Sequence, residues 1–203
     1  FKTPILFMAY NRPNHTKISF SKIENLKPMK LYISCDGPKN DIDNINVKKV
    51  REIIKKIDWK CDVNYLLNDH NLGCKYGCTN AINWFFKNEE EGIILEDDCV
   101  VNPTFFKFCE NLLKYYRNDN RIAMISGNLP YPKTLNESYF FSKFSHLWGW
   151  ATWRRSWKYH DPDISYLDKL KQLSSFESIV YNKKERNFWL NTLNNIKDID
   201  TWD

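Results

Sequence analysis

The chain has 203 residues, a net charge of +5 and 16% aromatic side chains. That length suits one sizeable domain. Lys and Arg are scattered with no arginine-rich tract, which argues against a nucleic-acid partner and leaves room for a small anionic ligand. Six cysteines without a Cys-x-x-Cys pair argue against a zinc site, and no apolar run is long enough to span a membrane.

Pro4 to Ala9 is an apolar run of strand length. Tyr10-Asn11-Arg12-Pro13 closes it and opens a helix, because proline suits a first helical turn and Ile18, Phe20, Ile23 and Leu26 recur at helical spacing. Lys30 to Cys35 reads as a second strand, ended by the turn residues Asp36-Gly37-Pro38. A second helix, from about Asp43 to Ile57, carries Val47, Val50, Ile53, Ile54 and Ile57 on one face. Cys61 to Leu67 is a third strand. A polar loop follows from Asn68, and a third helix spans roughly Cys74 to Phe86.

Ile93-Ile94-Leu95 is fully apolar and reads as a buried strand. Glu96-Asp97-Asp98 sits at its carboxyl end. Three adjacent carboxylates cannot all be buried unpaired, so something must compensate them. Strand alternation would put Glu96 and Asp98 on one side and Asp97 on the other. A divalent cation bridging to phosphate oxygens fits such a cluster.

Thr104 to Tyr116 reads as a helix, Arg121 to Ser126 as a strand and Tyr139-Phe140-Phe141 as a short strand. Trp148 and Trp150 alternate about Gly149, as neighbours on one strand face would. From Trp157 to Ile196 the chain is polar and helical in two or three pieces. No repeat or linker divides it, so residues 1–203 are expected to form one domain.

The β-α alternation implies a mostly parallel sheet with helices on both faces. Neither a Gly-x-Gly-x-x-Gly fingerprint nor a P-loop is present. Asn11, Arg12, Asp36 and Asp97-Asp98 all fall just after strands, so they converge on one edge of the sheet, where such sheets bind ligands.

These segments together resemble nucleotide-sugar-dependent glycosyltransferases of the GT-A fold. Pro4 to Pro13 is similar to that fold's first strand and turn, and Leu31 to Gly37 to its second. Asn71-Leu72-Gly73 is similar to the loop before its metal motif. Glu96-Asp97-Asp98 resembles its Asp-x-Asp-type motif, in the form found in N-acetylglucosaminyltransferase I. Trp148 to Trp153 resembles a segment of bacterial capsule and lipopolysaccharide glycosyltransferases.

The resemblance implies an α/β, Rossmann-like GT-A sheet, mixed but mostly parallel and flanked by helices. It implies transfer of a sugar from a nucleotide-sugar donor, with UDP as the expected carrier, to a hydroxyl of a glycan or glycolipid acceptor. Asn11 and Arg12 would lie against the nucleotide, Asp36 would accept a hydrogen bond from the base, and Glu96 and Asp97 would face ribose and donor sugar. Asp98 would hold Mn²⁺ or Mg²⁺, and Asp203, after Trp202, would be the catalytic base. Aromatic faces stack on sugars, so Trp148 and Trp150 are expected to line the acceptor site. The chain stops at that Asp203, which reads as the end of a truncated piece. A transferase domain that binds nucleotide without turnover is the alternative. The expected location is the cytoplasm, or the inner face of the membrane as a peripheral protein.

The chemistry fits those roles. A nucleoside diphosphate leaves with growing negative charge that a metal ion neutralises. An acceptor hydroxyl needs a positioned base, which contributes about 10²–10⁴-fold. One base and a single displacement imply inversion at the sugar.

Overall fold

The computed structural model describes residues 1–129, 136–172, 176 and 180–202. In chain order they form β1 (Ile5–Ala9), α1 (Pro13–Leu26), β2 (Lys30–Cys35), α2 (Asp41–Ile54), β3 (Asp62–Leu67), α3 (Gly73–Asn88) and β4 (Glu91–Glu96). Then follow α4 (Pro103–Tyr116), β5 (Met124–Ser126), β6 (Trp150–Trp153), α5 (Arg154–Trp157), α6 (Leu167–Gln172) and α7 (Lys183–Ile196). Residues 173–175 and 177–179, inside the stretch expected to be helical, lie outside the described residues.

One sheet runs in the order β3-β2-β1-β4-β6-β5. β1 pairs in parallel with β2 and β4, and β2 with β3, while β6 runs antiparallel to both β4 and β5. The expected mixed, mostly parallel α/β sheet is therefore present. β1 is buried at every position, as a central strand covered on both faces must be. β3 carries Asp62 and Asn64 and is partly exposed, which suits an edge.

Two apolar layers hold the sheet. On one face α1, α2 and α4 bring Phe20, Ile23, Val50 and Phe106 against Phe7, Ile33 and Leu95. On the other, α3 brings Ile82, Phe85 and Phe86 against Leu6, Met8 and Ile94, and Trp150 and Trp202 complete that layer. No helix among the described residues is long and apolar enough to cross a membrane.

Helix starts follow local chemistry. Asn40 accepts from the Asp43 amide and Asn102 from the Thr104 amide, with Pro103 beginning α4. The second helix thus starts and ends a few residues before the expected span. The strand expected at Tyr139–Phe141 does not form. Tyr139 instead meets Tyr116 at the end of α4, hydroxyl to hydroxyl at 2.8 Å.

Candidate functional site

The candidate crevice is the region at the carboxyl ends of the adjacent strands β1 and β4. In open α/β sheets that is the position where ligands bind. Arg12 ends the turn after β1, and its carbonyl is held by the Thr16 amide and hydroxyl, both at 2.9 Å. Its side chain crosses to the end of β4. There the same guanidinium nitrogen donates to Asp97 Oδ1 and, at 3.2 Å, to Asp98 Oδ2.

This corrects the expected alternation. β4 ends at Glu96, and the amide of Cys99 closes a turn onto the Glu96 carbonyl at 3.0 Å. Within that turn Asp97 and Asp98 no longer alternate, so one guanidinium reaches both. Glu96 is still on the strand and shares the side of Ile94, facing the α3 layer.

The two aspartates sit in different surroundings. Asp97 is 2% exposed, and its Oδ2 is buried without a hydrogen-bond partner. Burial pushes its carboxyl above the usual range, with Arg12 pulling in the opposite direction. Ser19 of α1 fixes its backbone, donating to the Asp97 carbonyl at 2.7 Å. Asp98 is half-exposed, and its Oδ1 accepts from the indole N–H of Trp148 at 3.2 Å.

Trp148 thus lies beside the acidic motif and is 59% exposed. A hollow of about 1300 Å³ opens beside Asp98 and Trp148 and runs past Phe105, Phe108 and Tyr139.

Trp150 is not Trp148's neighbour on a strand face, and that expectation is corrected. Gly149 has φ +74°, a left-handed conformation that turns the chain between them and suits only glycine at low cost. β6 begins after it. Trp150 is 3% exposed and packs in the α3 layer, with its ring stacked on Trp202. It borders a smaller hollow of about 400 Å³, together with Trp157 and His160.

Asp36 organises the wall beside the crevice. Its carboxylate accepts from the Gly37 amide (2.9 Å), Asn68 Nδ2 (3.0 Å), Asn71 Nδ2 (2.9 Å) and the Leu72 amide (3.0 Å). The turn after β2 and the loop after β3 are thereby locked together. Gly37 is required at their crossing, since a Cβ there would lie 2.4 Å from the His70 backbone. The expected bond from Asp36 to a base competes with these four donors.

Asn11 points to α2 rather than into the crevice. Its Nδ2 donates to Asp43 Oδ1 at 2.7 Å, while the Tyr10 hydroxyl donates to Asp43 Oδ2 at 2.5 Å. Those bonds hold the Asp43 carboxyl below its usual range. Asp203, the expected base, lies outside the described residues. The segment before it is fixed, because Asp200 accepts from the Cys74 and Lys75 amides at the start of α3, at 3.0 and 2.8 Å.

Asp43, Ser19 and Asn68 escaped the sequence reading. A signal existed for two of them. Asp43 follows Asn40 at the spacing of a capped first turn. Thr16 and Ser19 fall on the apolar face of α1 with Phe20 and Ile23, where a polar residue needs a partner. Arg154 and Arg155 are structural. Arg155 donates to the Tyr116, Arg117 and Ile122 carbonyls, closing the end of α4.

No family model matches the chain, and no curated protein matches it. Among solved structures, 4-diphosphocytidyl-2C-methyl-D-erythritolsynthase from Anaerococcus prevotii aligns over 95% of this chain and 84% of its own, with 10% identity and a TM-score of 0.40. TrmK from M. capricolum, in complex with S-adenosyl-homocysteine, aligns over 97% and 90%, with 14% identity and a TM-score of 0.26. What the chain itself presents is a Rossmann-like, mostly parallel α/β sheet with one arginine, two aspartates and an exposed tryptophan joined by hydrogen bonds beyond the ends of β1 and β4.

Proposed function

We propose that the chain is the donor-binding domain of a glycosyltransferase, which moves a sugar from a nucleotide-sugar, UDP-linked first of all, to a hydroxyl of a glycan or glycolipid. The observation that carries the reading is the meeting of Arg12 with Asp97 and Asp98 at the crevice between β1 and β4. A cationic fork and a carboxylate pair at that position suit a diphosphate and its counter-ion.

A divalent cation suits the donor set. Both aspartates offer hard oxygen, and the buried Asp97 Oδ2 has no partner. No cluster of three or more His, Cys, Asp or Glu that could hold a metal occurs among the described residues. Water and diphosphate oxygens would complete the shell, as is usual for Mg²⁺ and related ions. Asp98 would be the direct ligand of Mn²⁺ or Mg²⁺, and the ion would supply charge neutralisation at the departing diphosphate. Glu96 faces the α3 layer and would meet the donor sugar from that side. Trp148 offers an aromatic face to the acceptor, and Asp203 is assigned the proton abstraction from its hydroxyl.

Thermal unfolding with UDP, GDP, CDP and ADP, each with and without Mn²⁺, tests this reading. A ligand that binds only the native state raises the melting temperature. The expected result is a rise with one nucleotide that requires the metal. A flat response to all of them overturns the assignment. Turnover of the matching nucleotide-sugars then tells transfer from binding alone.

A further inference from the structure

We infer that Arg12 is the resident counter-charge of the acidic motif and competes with the divalent cation for it, so that the cation is admitted only as Arg12 is drawn away by an anionic ligand. This inference rests on the reading of the crevice as a diphosphate and cation site.

Three observations carry it. One guanidinium nitrogen of Arg12 serves Asp97 and Asp98 together, so it occupies the space between the two carboxylates that a bridging cation would use. Asp97 is almost wholly buried, Arg12 is its charged partner, the backbone of Tyr10 also supports the carboxylate, and Oδ2 is left without a hydrogen-bond partner. Removing Arg12 with no replacement would therefore strand a buried charge, which a protein site does not tolerate cheaply. The Arg12 side chain is itself 44% exposed, so it has room to swing toward solvent while its backbone stays pinned by Thr16.

The charges that face the motif decide the direction of the coupling. With both carboxyls ionised, Asp97 and Asp98 carry two negative charges and Arg12 one positive. With Arg12 in place the pair presents one net negative charge to an arriving cation, and without it two. Coulomb attraction for a divalent ion is then stronger once the guanidinium is gone. An anionic diphosphate does two things at once: it offers Arg12 a better bidentate partner and completes the ion's oxygen shell. Nucleotide and cation thus favour each other, and by linkage the coupling is reciprocal.

The test uses Mn²⁺ alone, with no nucleotide present. Free Mn²⁺ is read by its electron paramagnetic resonance signal during titration of the wild type, Arg12→Gln and Arg12→Lys. The expected result is that Arg12→Gln binds Mn²⁺ about tenfold or more tightly than wild type, while Arg12→Lys, which keeps the charge, stays near wild type. Equal affinity in the wild type and Arg12→Gln overturns the inference. Should Arg12→Gln be poorly folded, millimolar Mn²⁺ is expected to restore its cooperative melting, since the cation replaces the lost charge. A variant that stays unfolded at every Mn²⁺ concentration also overturns it. Failure of the transferase reading looks different: nucleotides leave the wild-type melting point unmoved while the gain in Mn²⁺ affinity persists.

Discussion

Trp202 stacks on Trp150, with ring centroids 5.8 Å apart and planes inclined by 20°. One residue opens β6 and the other follows α7, so this contact ties the last described segment to the sheet. Both rings are buried in the layer beneath α3. Trp202→Ala is expected to lower unfolding stability by about 3–5 kcal/mol, the range for deleting a large buried ring. Urea denaturation would measure it. A loss below about 1 kcal/mol would mean that the ring is not a packed member of the core.

Asp36 should behave as a loop clamp. Asp36→Ala removes the acceptor for four donors from two loops. The expected cost is about 1–3 kcal/mol for the donors left poorly paired. Hydrogen exchange at the Leu72 amide should quicken by far more than exchange in β1. Uniform protection in the variant would show that the loops are held by something else.

Asp43 gives an acid-side prediction. Its carboxyl is lowered from 3.8 by the hydrogen bonds of Tyr10 and Asn11. A lowered folded-state value means that the group stabilises the protein above its unfolded value and loses that contribution as pH falls through the folded value. The stability gap between wild type and Asp43→Asn should be full above about pH 4 and shrink steadily below it. Paired urea titrations across that range would read it. A gap that grows toward acid would contradict the assigned partners.

Asp98→Asn removes one carboxylate charge while keeping the shape of the Trp148 contact. The metal-dependent rise in melting temperature with nucleotide should vanish, and the ligand-free melting point should move little. A rise as large as that of the wild type would remove Asp98 from the metal site.

Trp148→Ala probes the acceptor side. Donor-induced stabilisation should persist, whereas the acceptor KM in a turnover assay should rise about tenfold, the scale of one lost aromatic contact. Loss of donor binding instead would assign the ring to the nucleotide.

Much of this architecture is written in local pattern. The apolar runs from Ile5, Lys30 and Ile93 become strands because a central parallel strand is buried on both faces and shows no alternation. The positions of Arg12, Asp36 and the acidic motif after those strands follow from the alternation of strand and helix. What pairs with what was not legible. The bond between Arg12 and Asp97 spans 85 residues, and no local spacing announces it. Trp150 was misplaced for a different reason. Its exposure depends on the left-handed turn at Gly149, and a Trp-Gly-Trp sequence reads equally well as a straight strand. Asn11 enters the candidate site by its position after the first strand and by the resemblance, while its partner, Asp43 of α2, lies 32 residues away and is not announced by local pattern.

The sheet order carries a consequence for synthesis. β1 lies in the middle of the sheet, yet its neighbour β4 ends only at Glu96. As the chain leaves the ribosome, β1, β2 and β3 can associate while one edge of Ile5–Ala9 still lacks a partner. That edge is apolar throughout and has no charge or proline to deter another chain from pairing with it. The interval before β4 arrives is therefore the period of greatest aggregation risk during production, and holding chaperones or slower expression should help most there.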